Sequence, residues 1–396
     1  MSAKKTLAFV LGIRPDVIRA ALILRSLREV PDLHVVFIWS GQHYSPNLRD
    51  IFFKELGVAP ADIDLGCGGE TDAEISASVI SRLYPVLAEL RPTAVVFLGD
   101  TNTTTGTIAA AQLNIPIVHI EGGMRSYDWR MPEEKYRLIA DHLSDVIYCY
   151  FDEYKEQAVR EGINPDNVVV VGNPIVDILE HYYFREKSRF DKMADDNFFA
   201  SRDLRRNEFY LMTCHRRENV GSPETLRAIV SLLNYAPYPV YFPASYRTQK
   251  NLKEFRLSLP QNVIMVDPIG YEEMVVLMTS SRGVITDSGT VVEETAILQV
   301  PSLQLRRSTE RPQTYDARSS VKFDPTQPEK YPGERIFQKL ENLVGTSWDH
   351  NLGDGHSSER IAADIKERLR SGGFERHRPE HYHIPIARSY REDGLD

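Results

Sequence analysis

The sequence predicts an α/β protein built from two domains with parallel sheets. Short β-branched apolar runs alternate with amphipathic helical patterns along the chain, which is typical of βαβ units. The alternation is interrupted by a charged segment, residues 181–206, and then starts again. The chain has 396 residues, more than one hydrophobic core usually organises, so we expect two such domains facing a cleft.

The elements follow in order from the same pattern. The first helix begins at Arg14, with Pro15 suited to its first turn and Asp16 near the positive end of its dipole. The domains are predicted to be Rossmann-like and to span residues 1–178 and 179–370, followed by a polar tail, 371–396. The predicted strands of the first domain are 6–11, 35–39, 94–98, 115–119, 146–150 and 168–171. Those of the second are 209–213, 239–242, 263–266, 283–286 and 302–305.

Composition excludes several classes of protein. No apolar run approaches the ~18 residues that span a bilayer, so a membrane protein is not expected. The net charge of −9 argues against a nucleic-acid partner. Three scattered cysteines indicate neither a disulfide framework nor a zinc site, and we predict no metal and no cofactor. The first residues carry no leader pattern, which predicts a cytoplasmic location.

Three acids stand where apolar strands give way to loops. Asp100 follows the predicted strand 94–98, and Glu121 follows 115–119. Glu133 comes shortly afterwards, in a Pro-Glu-Glu sequence. Ligands of α/β proteins bind outside the carboxyl ends of the strands, so these acids are placed for proton transfer. Standing alone, Glu133 would be read as a first helical turn that complements the dipole.

Two strand-to-helix turns are candidate anion sites. The turn Gly12 to Asp16 offers backbone donors at a helix start, but it lacks the dinucleotide and Walker sequences, and the glycine alone is explained by a tight turn. The second turn, Asp287 to Thr290, opens another helix. A helix cap would explain its residue types but not the Glu293-Glu294 pair that follows, one member of which is suited to accept hydrogen bonds from ribose hydroxyls.

Two polar segments of the second half of the chain supply further candidate site residues. His215 lies in a run of polar residues directly after an apolar strand, which favours a position facing the cleft over an ordinary exposed histidine. Arg311 follows the predicted strand 302–305. Its guanidinium is suited to a phosphate or a carboxylate, and a surface ion pair is the alternative.

Together these segments resemble the non-hydrolysing UDP-N-acetylglucosamine 2-epimerase family over residues 6–370. That family has a glycosyltransferase-B-type fold. The motifs stand in the family's order: Gly12-Ile13-Arg14-Pro15-Asp16, Ser40-Gly41-Gln42-His43, Gly99-Asp100-Thr101, His119 to Arg125, Pro132-Glu133-Glu134, Gly172-Asn173-Pro174, His215 to Asn219, Asp287 to Glu294, Glu310-Arg311-Pro312 and Gly353-Asp354-Gly355-His356.

The resemblance implies a reaction and a set of site residues. The reaction is inversion of carbon 2 of a UDP-activated amino sugar, by elimination of UDP to a glycal and re-addition, without a cofactor and in a homodimer. The implied catalytic residues are Asp100, Glu121, Glu133 and His215. The diphosphate would be held by Arg14, His215, Ser288, Gly289 and Thr290, and the ribose by Glu294. Further implied substrate contacts are Pro15, Gln42, His43, Arg125, Arg217, Glu218, Asn219, Tyr271 and Arg311.

Departures from the family pattern leave the substrate open. Thr290 and Val291 replace the usual Gly-Ile, which favours the subgroup acting on deoxygenated amino sugars, such as the enzyme that forms UDP-N-acetyl-L-fucosamine. Gly122 replaces an alanine and is expected to loosen its loop and alter the sugar pocket. The alternatives are a hydrolysing epimerase that releases UDP and free sugar, a glycosyltransferase, and a non-catalytic nucleotide-sugar binder.

Overall fold

The computed structural model describes residues 5–41 and 53–374. Its described part contains two parallel sheets, each covered by helices on both faces. The predicted α/β class, with two parallel-sheet domains, is confirmed. Two predicted contacts, Gln42 and His43, lie outside the described residues, as does nearly all of the predicted tail.

The first sheet has seven strands in the order β3-β2-β1-β4-β5-β6-β7. The order reverses between β1 and β4, which places a crevice at their carboxyl ends. Strand β3 was not predicted from the sequence, because two residues give no apolar run. The strands are β1 (Lys5–Leu11), β2 (Leu33–Trp39), β3 (Ile63–Asp64), β4 (Ala94–Leu98), β5 (Ile117–Ile120), β6 (Val146–Cys149) and β7 (Val168–Val170).

The helices of the first domain alternate with these strands. Asp16 accepts the backbone N–H of Ile13 at 3.3 Å, so the predicted start of the first helix is stabilised by its own first turn. A short 3₁₀ turn, Asn102–Gly106, follows β4. The helices are α1 (Arg14–Arg28), α2 (Asp72–Leu90), α3 (Thr107–Gln112), α4 (Pro132–Leu143), α5 (Asp152–Arg160) and α6 (Pro174–Leu179).

The second sheet has six strands in the order β10-β9-β8-β11-β12-β13. Here the order reverses between β8 and β11, so His215 and Asp287, which follow these two strands, are brought to one edge. The last strand was not predicted. The strands are β8 (Tyr210–Thr213), β9 (Val240–Pro243), β10 (Val263–Val266), β11 (Gly283–Thr286), β12 (Ser302–Leu305) and β13 (Ser320–Phe323).

Helices link and cover this second sheet. A π-helical turn, Glu180–Phe184, continues α6 and leads out of the first domain. The helices are α7 (Lys187–Met193), α8 (Asp196–Ala200), α9 (Arg217–Val220), α10 (Pro223–Leu232), α11 (Tyr246–Glu254), α12 (Tyr271–Thr279), α13 (Gly289–Ile297), α14 (Gln313–Asp316), α15 (Gly333–Glu341) and α16 (Ser357–Ser371).

The last helix departs from the predicted division at residue 179. Helix α16 packs against α1 of the first domain rather than on the second sheet. Its Asp364 accepts a hydrogen bond from Tyr148 of β6 at 2.6 Å, and its Lys366 donates to Ser26 of α1 at 3.1 Å. The apolar face of α16, Ile361 and Ile365, is buried in the core shared with α1, which is the physical reason for this placement.

No helix in the described ranges is long and apolar enough to cross a membrane. Within the same ranges, no group of three or more His, Cys, Asp or Glu side chains is arranged to hold a metal ion.

Candidate active site

Charged side chains from both domains meet in the cleft between the sheets. Asp100 follows β4, and Glu133 lies in the first turn of α4. Arg216 follows β8 of the second domain. The three groups interact electrostatically with one another, and Arg216 thus lies close to both acids. Two of the predicted catalytic acids are therefore brought together beside a cation.

Asp100 and Glu133 differ in their preferred protonation state. Burial raises the pKa of Asp100, but the guanidinium groups of Arg137 and Arg216 outweigh it, so the pKa lies below its ordinary value. Burial also raises the pKa of Glu133; Arg216 opposes this effect, Asp100 adds to it, and the pKa stays above its ordinary value. A carboxyl group with a lowered pKa next to one with a raised pKa is suited to giving and taking protons at one centre.

Several buried polar atoms of the cleft have no hydrogen-bond partner among the described residues. They are Glu133 Oε2, Arg216 Nη1, Glu218 Oε2 and, beside Asp100, Thr101 Oγ1. Buried polar atoms are nearly always paired, so unpaired ones from two domains mark the place where polar groups of a ligand are met. Glu218, a predicted substrate contact, belongs to this group.

Glu121, the third predicted acid, lies deeper and is fully engaged. Its carboxylate accepts a hydrogen bond from Arg311 at 2.8 Å and another from the Tyr150 hydroxyl at 2.8 Å, and it is paired with Arg19. Only 1% of Glu121 is exposed. Since Arg311 comes from the second domain, this carboxylate joins the two domains.

Arg311 takes part in a buried network of alternating charges. Besides Glu121, it lies 3.1 Å from Glu293 and is paired with Glu310. Glu310 also accepts from Arg306 at 2.7 Å and from Arg216 at 3.2 Å. Burial raises the pKa of Glu310, but these cations outweigh it and hold the pKa well below its ordinary value. The predicted substrate contact at Arg311 thus lies behind the cleft, between carboxylates.

The predicted anion site of the second domain lies at the start of α13. The Ser288 hydroxyl caps this helix by accepting the N–H of Val291 at 3.5 Å. A Cβ atom at Gly289 would lie 2.4 Å from Arg311 Nη1, so only glycine permits the approach of this cation. Thr290 is 8% exposed in the same first turn. The positive end of α13 is thereby reinforced by a guanidinium.

The corresponding element of the first domain is the start of α1. Arg14 and Pro15 form its first turn, and burial lowers the pKa of Arg14. Arg14 interacts electrostatically with His215 and with Tyr246 of the second domain. About half of the His215 side chain is exposed, and its Nδ1 lies 3.7 Å from Asp287. Arg14 and His215 therefore approach the cleft from opposite domains.

Asp287 fixes the loop that carries His215 and Arg216. Its carboxylate accepts their backbone N–H groups, at 3.0 Å and 2.9 Å, and the Asn219 amide at 3.1 Å. The same Asn219 amide nitrogen donates to the Leu305 carbonyl at 2.9 Å. Both bonds run within the second domain, so the Asn219 amide supports this loop. Asn219 also lines a pocket between the domains with Glu218 and Met131, and its substrate contact stays a prediction.

Tyr271 and Glu294 form a buried pair, as their predicted roles in one binding site require. The Tyr271 hydroxyl donates to Glu294 at 2.8 Å. Burial raises the pKa of Glu294 to about 7, and the hydrogen bond from Tyr271 opposes this effect. Glu294 follows the start of α13 by about one turn and a half.

Two more predicted substrate contacts are used within the protein. Arg125 donates to Glu161 at 2.6 Å, to Asp141 at 2.8 Å and to its neighbouring carbonyl, and only 4% of it is exposed. All of these partners belong to the first domain, so Arg125 is not brought to the cleft. Arg217 is paired with Asp72 of α2 and bridges the domains at the rim of the cleft.

Sequence reasoning missed Arg216, Arg137 and Glu310. Arg216 belongs to the recognised polar run after β8, but the run offers two adjacent arginines and the pattern does not say which faces inward. Arg137 lies one helical turn after Glu133, a spacing that was available in the sequence. Glu310 adjoins the predicted Arg311, and only the fold shows that four arginines surround it.

The arrangement agrees with comparisons to known proteins. A family model described as UDP-N-acetylglucosamine 2-epimerase matches residues 25–366. A curated relative of that name from Methanocaldococcus jannaschii is 33% identical over 368 residues, covering 90% of this chain and 97% of the relative. The chain belongs to the UDP-N-acetylglucosamine 2-epimerase family. The predicted family is thereby confirmed, and its members are enzymes that epimerise UDP-sugars.

Other members of the family extend the comparison. The UDP-2,3-diacetamido-2,3-dideoxy-D-glucuronate 2-epimerase of Pseudomonas aeruginosa is 33% identical over 307 residues, 76% of this chain and 83% of that protein. The crystal structure of the M. jannaschii UDP-GlcNAc 2-epimerase in complex with UDP-GlcNAc and UDP matches with a TM-score of 0.82 and 32% identity, over 91% of this chain and 99% of that one. The Neisseria meningitidis enzyme bound to UDP-GlcNAc gives 0.77 and 27% identity, over 91% of this chain and 100% of that one.

Proposed function

We propose that the protein inverts the configuration at carbon 2 of a UDP-2-acetamido sugar. The observation that carries this proposal is the pair of cleft acids with opposite protonation preferences, Asp100 and Glu133. Inversion at carbon requires one group to remove a proton and a second group to deliver a proton to the other face. A glycosyltransferase needs one base and an acceptor groove, so the paired acids favour epimerisation.

The pair suggests an order of events. Ionised Asp100 removes the carbon 2 proton while the bond from carbon 1 to UDP breaks, which leaves a glycal with a double bond between these carbons. Re-addition of UDP then takes place while protonated Glu133 delivers a proton to the opposite face of carbon 2. The carbon 2 proton is barely acidic, so departure of UDP, which builds positive charge on the ring, has to carry the reaction.

The cationic groups of the cleft would bind the diphosphate of the substrate, which is the leaving group. Arg14, His215 and the start of α13 at Ser288, Gly289 and Thr290 would bind it. Arg216 has an unpaired Nη1 between this region and the acids, so it would meet the bridging oxygen, where negative charge develops. The uridine would reach the buried pair of Tyr271 and Glu294, whose carboxylate accepts from a ribose hydroxyl.

The remaining predicted residues take indirect roles in this proposal. Glu121 would pair with Arg19 of the first domain and Arg311 of the second, and so hold the two domains together. Gln42 and His43 stay predictions because they lie outside the described residues.

The test is a proton NMR time course of the purified protein with UDP-GlcNAc in deuterated water. We expect UDP-ManNAc to appear with deuterium at its carbon 2. Free N-acetylmannosamine together with UDP would instead identify a hydrolysing enzyme. No reaction with UDP-GlcNAc, followed by none with other UDP-2-acetamido sugars, would contradict the proposal.

A second candidate substrate follows from the relative that acts on a diacetamido uronate. UDP-2,3-diacetamido-2,3-dideoxy-D-glucuronate therefore belongs in the same assay, together with a deoxygenated UDP-amino sugar of the kind that Thr290 and Val291 favour. The ratio of kcat/KM values among the three sugars identifies the natural class.

We also propose that the protein works as a homodimer, as the family resemblance implies. A cytoplasmic location and the lack of a nucleic-acid partner stay predictions from the sequence. Size-exclusion chromatography with light scattering measures the molar mass and so tests the dimer. The molar mass of a monomer at assay concentration would contradict it.

A further inference from the structure

One buried carboxylate of the first domain is linked to all three acid-bearing segments, to two of them directly and to the third through a histidine ring. Asp141 lies in the third turn of α4, the helix that begins beside Glu133, and 1% of it is exposed. Its Oδ1 accepts from His119 Nδ1 at 2.7 Å. Its Oδ2 accepts from the backbone N–H of Gly123 at 3.0 Å and lies 2.8 Å from Arg125 Nη1.

The contact with His119 continues to the Asp100 loop. The other ring nitrogen of His119, Nε2, donates to the carbonyl oxygen of Gly99 at 2.8 Å. A carbonyl oxygen only accepts, so this nitrogen carries a proton. Gly99 has φ +85°, and a Cβ atom there would lie 2.9 Å from Asp16. The peptide just before Asp100 is thus held in a conformation suited to glycine by a ring that Asp141 orients.

The contact with Gly123 fixes the second loop. Gly123 has φ +77°, and Glu121, two residues earlier, has φ +78°. A non-glycine residue at positive φ is strained and persists only where its surroundings hold it. The bond from the Gly123 N–H to Asp141, and the packing of Gly122 against the same carboxylate, supply that constraint.

The carboxylate is ionised in these surroundings. Burial raises the pKa of Asp141, but the hydrogen bond and charge of His119, the charge of Arg125 and the Gly123 N–H outweigh it, and the pKa lies below its ordinary value. His119 belongs to β5 and Gly123 to the loop after it, whereas the acceptor comes from α4. The loop after β4 is reached through the second ring nitrogen of His119.

We infer that Asp141, acting through His119, is a positioning residue that sets Asp100, Glu121 and Glu133 relative to one another. Asp141 touches no ligand in this assignment. The inference rests on the proposed function in one respect: the effect of Asp141 on turnover is measured with the proposed reaction. Displacement of a reacting group by about 1 Å costs ~10²-fold in rate, so loss of Asp141 should lower kcat by that order.

The experiment compares Asp141→Ala with Asp141→Asn. Alanine removes the acceptor from all three donors, and we expect kcat to fall ~100-fold while KM and the Kd of UDP stay within about 3-fold, because the diphosphate groups are held elsewhere. Asparagine keeps an oxygen for Gly123 and Arg125 and a polar amide group beside the His119 ring. We expect this conservative variant to restore kcat to within about 10-fold of the wild type.

The matched control is Asp177→Ala. Asp177 of α6 is also buried in the first domain and accepts two backbone N–H groups, but these belong to Ser357 and Ser358 at the start of α16 and not to a loop that carries one of the acids. Its loss should lower stability and leave kcat unchanged. Equal losses of kcat in the two alanine variants at equal destabilisation would overturn the inference.

Hydrogen exchange measured by mass spectrometry separates this inference from the proposed reaction. Asp141→Ala should raise exchange around residues 99–101 and 121–125, and His119→Phe should raise it around 99–101 alone. This readout needs no turnover, so it stands even if no UDP-sugar is converted. Unchanged exchange in both loops, or a fall in UDP affinity as large as the fall in kcat, would refute the role of Asp141.

Discussion

The two edges that face the cleft are organised alike but serve different charges. At the first edge, buried Asp141 binds the loops that carry acids. At the second edge, buried Asp287 binds the loop that carries His215 and Arg216. Each domain thus uses one inaccessible carboxylate to fix a loop, and the functional groups differ in sign. The first edge carries the acids of the proposed proton transfer, and the second edge carries cationic groups of the proposed diphosphate site, to which Arg14 of the first domain also belongs. This arrangement agrees with a reaction that builds opposite charges on the sugar and the diphosphate.

The largest expected effects come from the acidic edge. Asp100→Asn and Glu133→Gln should each lower kcat by ~10²–10⁴-fold, because each removes one of two proton-transfer groups. UDP affinity, measured by calorimetry, should stay within a few-fold, since these acids act on the sugar.

The control for this pair is Asp62→Asn, which changes a carboxylate of the same domain that pairs with Arg28 at the surface and should leave kcat as it is. A variant that lost UDP affinity but kept its rate at saturation would place its acid on the diphosphate side instead.

The next largest effect is expected from loss of Glu121, the carboxylate that links the two domains through Arg311. Glu121→Gln leaves Arg19 and Arg311 without their full counter-charge, which should lower the free energy of unfolding by about 3–5 kcal/mol. Urea denaturation measures this change. Both kcat and UDP affinity should fall, because Arg311 also lies against Gly289 at the start of α13.

Tyr150→Phe is the matched control for Glu121→Gln, since it removes only the hydroxyl that donates to the same carboxylate, at a cost of about 1 kcal/mol. If the two variants were equally stable, the ion pairs would contribute nothing to joining the domains.

Arg14 at the start of α1 belongs to the proposed diphosphate site together with the cationic groups of the second domain. Its loss should therefore change the affinity for UDP and leave the rate at saturation unchanged. Arg14→Ala should weaken UDP binding by ~10–100-fold, the loss expected for one hydrogen bond to a charged group. Arg28→Ala, in the last turn of the same helix, is the control and should not change UDP affinity. An unchanged Kd in Arg14→Ala would remove this residue from the proposed diphosphate site.

The pH dependence should show the difference between the two acids. The raised pKa of Glu133 means that the required protonated form persists above the usual range of a glutamic acid and is lost at still higher pH. The rate should therefore fall ~10-fold per pH unit on the alkaline side, with the limb absent from Glu133→Gln.

The lowered pKa of Asp100 sets the acid limb, because its base form is lost only when the pH falls through that depressed value. If Glu218→Gln, rather than Glu133→Gln, abolished the alkaline limb, then Glu218 would be the group that delivers the proton.

The smallest expected effect concerns the helix cap. Ser288→Ala removes a long hydrogen bond of 3.5 Å to Val291 and should weaken UDP binding by about 3-fold. Ser222→Ala, which removes the cap of α10, is the control and should leave UDP affinity unchanged. A larger loss for Ser288 would indicate direct contact between its hydroxyl and the diphosphate.

The sequence predicted the strands well where burial on both faces gives long apolar runs. Strands β1 and β4 show this pattern, since nearly all of their residues are buried. Strand β13 alternates buried and exposed residues over four positions, too short for a clear period, and it lies at the edge of its sheet. Helix α16 has an ordinary amphipathic pattern, and nothing in such a pattern says which domain its apolar face meets.

The candidate site was predictable in its residue types and not in their directions. Asp100 and Glu133 follow recognisable strand and helix boundaries, whereas Arg125 and Asn219 lie in equally recognisable motifs but donate into their own domains. Motifs record a segment's position along the chain. The direction of each side chain depends on partners distant in sequence, such as Glu161 for Arg125.

Gly122 shows the same limit. The sequence predicts that glycine loosens the loop and alters the sugar pocket. In the structure a Cβ atom at this position would lie 2.5 Å from Asp141 Oδ1 and 3.2 Å from His119 Nδ1. Gly122 therefore makes room for a buried ion pair, and its neighbour Gly123 is bonded to that pair rather than free.

The return of α16 to the first domain means that the chain passes between the domains twice, once after α6 and once before α16. Both flanking helices, α6 and α16, pack against α1. The second domain, with Arg216, is therefore an insertion held at both ends by the first domain rather than a unit appended to it.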